Sequence, residues 1–468
     1  MRLAALVSIG LACGPSQAEV LVIRDARIVD VEAGTASLGD VVIEDGAIRS
    51  VGADLAAEGG QVLAADGRWL IPGLWDAHVH VFSSHTEPDS ALPLYLLNGV
   101  TGIRDMGALW PVGEQKALAT ELEDGTRLGP RLVLSGAWVD APPGSWPGMF
   151  LAGTPAEAEA AVDRIDAEGW AAVKAYSMLS EPAYEALAAA AERRGLPLVG
   201  HVPESVAMRD AIAAGQDGVE HWGRVTRGCA EGEEGTVREA REALAADDPR
   251  AALMAVMAGH NAIVLDTWDE ARCRALLADM AAAGVHVSPT FVVAGFYLGL
   301  RPGPDAPRMR TLPAEVRAAW EEPDFRLQAM TGELSALADA SIALDRRTFA
   351  MAVEAGVPIL ASTDASHANP WIFHGDSLAD ELDIYVEAGM TPHEALFSAT
   401  AAPPRFLGLD DQDGRIAPGR RADLVLLGAD PLEDIGAVRE VEAVIVRGRL
   451  LDRTELDDMR AALEEAAR

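Results

Sequence analysis

The chain has 468 residues, 49% of them hydrophobic, which is enough for a sizeable core and for one large domain plus a smaller one. Asp and Glu (73) outnumber Lys and Arg (38), and the net charge of −35 makes nucleic acid and anionic membranes unfavourable partners. No apolar run beyond the N-terminus is long enough to span a bilayer, so the mature chain is expected to lack a transmembrane segment.

The first 18 residues read as an export signal. Arg2 supplies the positive start, Leu3–Ala12 the short apolar stretch, and Ser16-Gln17-Ala18 a small-x-small cleavage site that leaves Glu19 as the new N-terminus. This predicts a periplasmic or secreted protein. Cys13 raises a lipoprotein alternative, but Gly10 stands where such signals usually carry Leu. Cleavage at Ala18 leaves two cysteines, Cys229 and Cys273, and an even count in an oxidising compartment suggests one disulfide.

Residues 19–70 read as short strands, with a hairpin signal at Glu44-Asp45-Gly46. Residues 413–468 read the same way: Ala422–Leu427 and Glu442–Val446 are strand-like, Arg447-Gly448 is a turn, and a helix starts near Asp452. Neither end makes a domain alone. Together they are expected to form one small β-domain. Between them, over 71–412, strands and helices alternate as in parallel α/β architecture. The apolar strand candidates are Leu70–Trp75, Val100–Arg104, Arg131–Ser135, Ala171–Ala175, Leu196–Gly200, Gly218–Glu220, Val285–Pro289 and Val357–Ser362. Eight is the number a (β/α)8 TIM barrel requires. Helix starts are marked at Thr154-Pro155-Ala156-Glu157, Ser180 and Thr391-Pro392-His393-Glu394, with stops at Gly169 and Gly195. Two long connections, Gly223–Asp269 and Val292–Ala340, are expected to be lids or binding elements.

In such a barrel the C-terminal strand ends form the active face. Polar residues sit at those ends. His78 and His80 follow the first strand and, two residues apart, share a face. Lys174 lies on the fourth strand, His201 and His221 end the fifth and sixth, and Asp364 ends the eighth. Four imidazoles, a carboxylate and an amine could hold two divalent ions of the Zn²⁺, Mn²⁺ or Co²⁺ type. Lys116 and Lys174 are the only lysines, so Lys174 stands where Arg does not substitute. Burial and nearby cations favour its neutral amine, which can take up CO2 as a carbamate and bridge two metals. The alternative is a pairing with a core acid.

The stretch Ile71-Pro-Gly-Leu-Trp-Asp-Ala-His-Val-His80, with Lys174, His201, Glu220-His221 and Ser362-Thr-Asp364, resembles the amidohydrolase superfamily. Ser377–Leu382, Glu387–Leu396 and Gly419–Leu426 extend the match over nearly all of the mature chain. The branch it looks most like is the exported, imidazolonepropionase-like group that includes metal-dependent dipeptidases of the prolidase type. The resemblance implies that His78 and His80 bind a first metal, His201 and His221 a second, and carboxylated Lys174 bridges them, with zinc the first expectation. Asp364 would ligate the first metal and act as the catalytic proton shuttle. A hydroxide shared by the metals would attack a carbonyl carbon; metal lowers the pKa of bound water from 15.7 to about 7.

The expected substrate is a small molecule, a dipeptide or N-acyl amino acid. A cyclic amide, lactone or other ester, and a non-catalytic binding protein on the same fold, are the alternatives. Trp146, Tyr176, Trp222, Arg224, Arg227, His367 and His374 lie near the predicted mouth as candidate substrate contacts, each with a plain loop role as its alternative. An Arg there can hold a free carboxylate bidentately. A homo-oligomeric state is left open.

Overall fold

The computed structural model describes residues 20–56, 60–107, 109–297, 301–303, 306–322 and 332–468. The expected signal over 1–18, with Cys13, and the expected new N-terminus Glu19 lie outside the described residues.

Five strands open the chain: β1 (Val20–Asp30), β2 (Thr35–Glu44), β3 (Ala47–Gly52), β4 (Gln61–Ala64) and β5 (Trp69–Pro72). β1 pairs antiparallel with β2 and parallel with β4 and β5. The β2–β3 turn has Asp45 and Gly46 at φ +51° and +78°, the left-handed pair that a tight hairpin needs. At Gly73 the chain leaves this sheet. A Cβ there would stand 1.8 Å from Thr101 Oγ1, so only glycine lets the backbone pass. The stretch Leu70–Trp75, expected to be one strand, is therefore two: β5 in the terminal sheet and β6 (Leu74–Val79), the first strand of the barrel.

The barrel continues through β7 (Val100–Asp105), β8 (Arg131–Leu134), β9 (Ala137–Asp140), the short β10 (Phe150–Leu151), β11 (Val173–Ala175), β12 (Leu198–Gly200), β13 (Gly218–Glu220) and β14 (His286–Ser288). β6, β7 and β8 pair in parallel. The third barrel strand bends at Gly136, where a Cβ would lie 2.1 Å from Gly107 N. Its first half, β8, pairs with β7 and its second half, β9, with β11. β11 pairs with β12, and β13 with β14. Asp217 N donates to Leu198 O between β12 and β13. The eighth strand is formed by bridges, Val287 with Ile359 and Val79 with Ala365, which close the ring back onto β6. This is the expected (β/α)8 barrel.

Local sequence explains the helices between strands. Thr154 caps the helix Pro155–Glu168 by accepting from Glu157 N, and Gly169 ends it at φ +66°. Thr391 and Glu394 form a full capping box at Pro392–Ser398. Ser180 precedes Glu181–Arg194, but its hydroxyl makes no cap bond. The connection after β13 folds into the helices Gly223–Gly228, Glu233–Leu244 and Pro249–Thr267. Cys229, at the end of the first of these, is bonded to Cys273 on the helix Glu270–Ala283, and both are buried.

The C-terminal strands β15 (Leu424–Leu427), β16 (Val441–Val446) and β17 (Arg449–Leu451) complete the first sheet, with β15 against β5. A helix Arg453–Ala466 follows, capped by Asp452. Both chain ends share one apolar cluster, including Leu21, Ile23, Ile43, Leu70, Leu424 and Ile445, because neither set of strands alone buries its inner face. Among the described residues no helix is long and apolar enough to cross a membrane.

Candidate metal centre

The barrel brings six side chains together. His78 is the penultimate residue of β6 and His80 lies one residue beyond the strand; Lys174 is the middle residue of β11; His201 and His221 follow β12 and β13. Asp364 Oδ1 lies 3.2 Å from His80 Nε2 and 3.5 Å from His78 Nε2. Lys174 Nζ lies 3.5 Å from His78 Nε2 and donates to Met106 O at 2.8 Å. The His221 ring is 5.1 Å from that of His78 and 5.0 Å from that of His201. Parallel strands closed into a ring bring their C-terminal ends to one face, which is why residues 286 positions apart in sequence can meet (364 − 78).

Each histidine is held by its outer nitrogen. His78 Nδ1 donates to Glu220 Oε2 at 2.7 Å, and His80 Nδ1 to Gly107 O at 2.8 Å. His201 Nδ1 pairs with Ser177 Oγ at 2.7 Å, and His221 Nδ1 with Thr290 Oγ1 at 2.8 Å. All four therefore keep Nε2 for the shared interior, the arrangement that orients imidazole ligands toward a metal. Glu220 is itself anchored by Arg104 Nη2 at 2.7 Å, and Arg104 also donates to Ser288 Oγ and Ala77 O. The sequence reading missed Ser177, Thr290 and the role of Arg104. A fully buried Arg at the end of the apolar stretch Val100–Arg104 was the available signal; the two hydroxyls had none.

Backbone strain gathers at the same place. His221, Thr290 and Asp364 have φ of +67°, +52° and +62°, a region that costs a non-glycine residue about 1–3 kcal/mol. Burial pushes His78, His201 and His221 below the usual imidazole range, keeping them neutral and ready as ligands. Burial alone would raise Asp364, but the His80 hydrogen bond holds it well below the carboxylate range. Burial also pushes Lys174 down to about 8, so its neutral amine is accessible near neutral pH.

The remaining predicted residues divide into groups. Tyr176 stacks on His201 at 4.1 Å, and Trp146 Nε1 donates to Tyr176 Oη at 2.9 Å, so both line the mouth. Trp222 is buried against Phe291 and Phe349. Arg227 is buried on Glu204 at 2.6 Å, and Arg224 Nη2 donates to Val206 O, so both guanidinium groups face the segment that follows β12. His367 and His374 converge on Glu87, apart from the six.

The model of the amidohydrolase family matches residues 69–451. The chain belongs to the amidohydrolase family. Among its relatives, an adenine deaminase of Listeria welshimeri is 39% identical over 105 residues, 22% of this chain and 18% of the deaminase, so the match spans under a fifth of that relative's length. Among solved structures, a bottromycin amidohydrolase superposes with a TM-score of 0.71 at 23% identity, covering 95% of this chain and 90% of the other. A Xaa-Pro dipeptidase with methionine bound in its active site superposes with a TM-score of 0.64 at 20% identity, covering 93% and 100%. These likenesses place the barrel and its terminal sheet within the amidohydrolase fold.

Proposed function

We propose that this amidohydrolase is an exported, two-metal amide hydrolase acting on dipeptides or N-acyl amino acids. The observation that carries the reading is Lys174, buried beside His78 with a weakened hold on its proton, among four histidines whose Nε2 atoms are all left for the barrel interior. The donor set fits two divalent ions: His78, His80 and Asp364 for one, His201 and His221 for the other, with Lys174 as a carbamate between them and zinc the favoured metal. Ions bound there would supply an activated water and polarise the scissile carbonyl.

The chain's own groups do the rest. Asp364, held ionised by His80, can take a proton at its carboxylate and deliver it to the leaving nitrogen. Arg104 and Glu220 fix the His78 ring. Tyr176 and Trp146 offer an aromatic wall beside His201 for the substrate's apolar part. The dipeptidase among the structural neighbours, which holds an amino acid in its active site, supports this substrate class.

The test is metal-reconstituted protein assayed on dipeptides of varied C-terminal residue and on several N-acyl amino acids. Turnover of at least one amide series, lost on chelation, is expected; inactivity on all of them with full metal occupancy would overturn the reading. Export rests on the signal-like start, and N-terminal sequencing of protein from a native-like host should find Glu19 first; a cytosolic chain retaining Met1 would refute it.

A further inference from the structure

We propose that Glu87, His367 and His374 hold a further divalent cation of the zinc type, at the rim of the barrel and separate from the hydrolytic centre. Glu87 opens the helix Glu87–Leu97 beyond His80, and the two histidines lie on the segment beyond Asp364. One ligand atom from each of the three lies within 4.8 Å of the others, the same clustering shown by His78, His80 and Asp364.

The spacing fits shared coordination. Glu87 Oε1 is 3.1 Å from His374 Nε2, against 3.2 Å between Asp364 Oδ1 and His80 Nε2 in the hydrolytic centre. Ligands at zinc distances of about 2.0–2.1 Å in a tetrahedron lie roughly 3.3 Å apart. The outer groups are arranged as they are around a metal-bound histidine. Tyr95 Oη is 2.8 Å from His374 Nδ1, so the phenol can accept that proton and leave Nε2 as a lone pair toward the cation. Glu87 Oε2 accepts from Ser83 N and Ser83 Oγ, and Oε1 accepts from His367 N at 2.5 Å, which leaves one lone pair of Oε1 for the cation.

His367 carries the second observation. Its Nδ1 is buried with no hydrogen-bond partner among the described residues, and its Nε2 has only Ser90 Oγ at 3.3 Å. A buried, unpaired ring nitrogen costs about 1–3 kcal/mol, and a cation bound at Nδ1 removes that cost. Beside the two histidines is a cavity of about 50 Å3, lined also by Trp320, Asp376, Arg308 and Arg460, large enough for water as a fourth ligand. Two imidazoles, one carboxylate and a water are a zinc-type donor set. Without an ion the same atoms make a Glu87–His374 hydrogen bond, so the site has two arrangements, and the cation selects the Nδ1–H form of His374. The bound ion would brace the segments that follow His80 and Asp364.

Zinc itself is the probe. Anomalous scattering from crystals of the whole protein grown with zinc should show a peak between Glu87, His367 and His374 in addition to density at the hydrolytic centre. In solution, His78→Ala protein stripped by chelator and titrated with Zn²⁺ should retain this ion; adding His367→Ala or, separately, Glu87→Gln should remove one ion per chain. Tyr95→Phe should weaken that ion about 10–100-fold without changing the others. No peak between the three donors while the hydrolytic centre is filled, or an unchanged ion count in both folded double variants, overturns the proposal. Neither result touches the hydrolase reading, which is tested separately by amide turnover.

Discussion

Asp76 joins the first barrel strand to the last through Thr363. Its Oδ2 accepts from Thr363 Oγ1 at 2.6 Å and its Oδ1 from Thr363 N at 3.0 Å and His78 N at 3.3 Å. Because Thr363 precedes Asp364, this one carboxyl group aligns a histidine and the proposed proton carrier at once. Asp76→Ala would leave three buried donors without an acceptor, each costing about 1–3 kcal/mol. A large fall in melting temperature and loss of metal are expected. Asp76→Asn keeps Oδ1 and should fall much less. Thermal melts with metal analysis check this, and equal melting temperatures in the two variants would refute it.

Lys174→Arg should lose one or both metals and nearly all activity while the barrel stays folded, because guanidinium remains charged and cannot become a bridging carbamate. Lys174→Ala should behave alike, with partial recovery when short carboxylic acids are added. Metal content set against melting temperature is the deciding comparison. Two-metal occupancy and full turnover in Lys174→Arg would end the proposal for a bridging lysine.

The Cys229–Cys273 bond closes a separation of 44 residues around most of the helical insertion after β13. Constraint of a loop this long is worth about 2–4 kcal/mol in typical cases. Oxidised, signal-cleaved protein should show no free thiol when denatured without reductant, and reduction should lower its melting temperature. Two free thiols would rule the bond out.

His286, at the start of β14 beside the Phe406 ring, is pushed down to about 4 by burial. Its unfolded value is near 6.5, so between about pH 4 and 6.5 the unfolded chain binds the extra proton. Stability contributed this way is present above pH 6.5 and is lost as pH falls toward 4. The melting temperature should decline over that window, and His286→Gln should decline less steeply. The readout is the difference in slope, so any constant cost of the substitution cancels; identical slopes would refute it.

The terminal hairpins at Asp45-Gly46 and Arg447-Gly448, the caps at Thr154 and Thr391, the helix start near Asp452, and the order of strands and of the polar residues at their ends were legible from local chemistry. These signals act over a few residues, and side-chain alternation or a capping bond is complete within one element. By itself, then, the sequence determined the barrel, its supporting terminal sheet and the six residues His78, His80, Lys174, His201, His221 and Asp364. Only the tertiary structure decided that Leu70–Trp75 splits at Gly73, that the third strand bends at Gly136, that Arg104 reaches His78 through Glu220, and that His367 and His374 meet Glu87. Each of these depends on contacts between segments far apart in sequence, such as the packing of Thr101 where a Gly73 side chain would stand or the 2.7 Å bond from Arg104 to Glu220, and no pattern within one strand or loop encodes which distant partner closure of the barrel will supply.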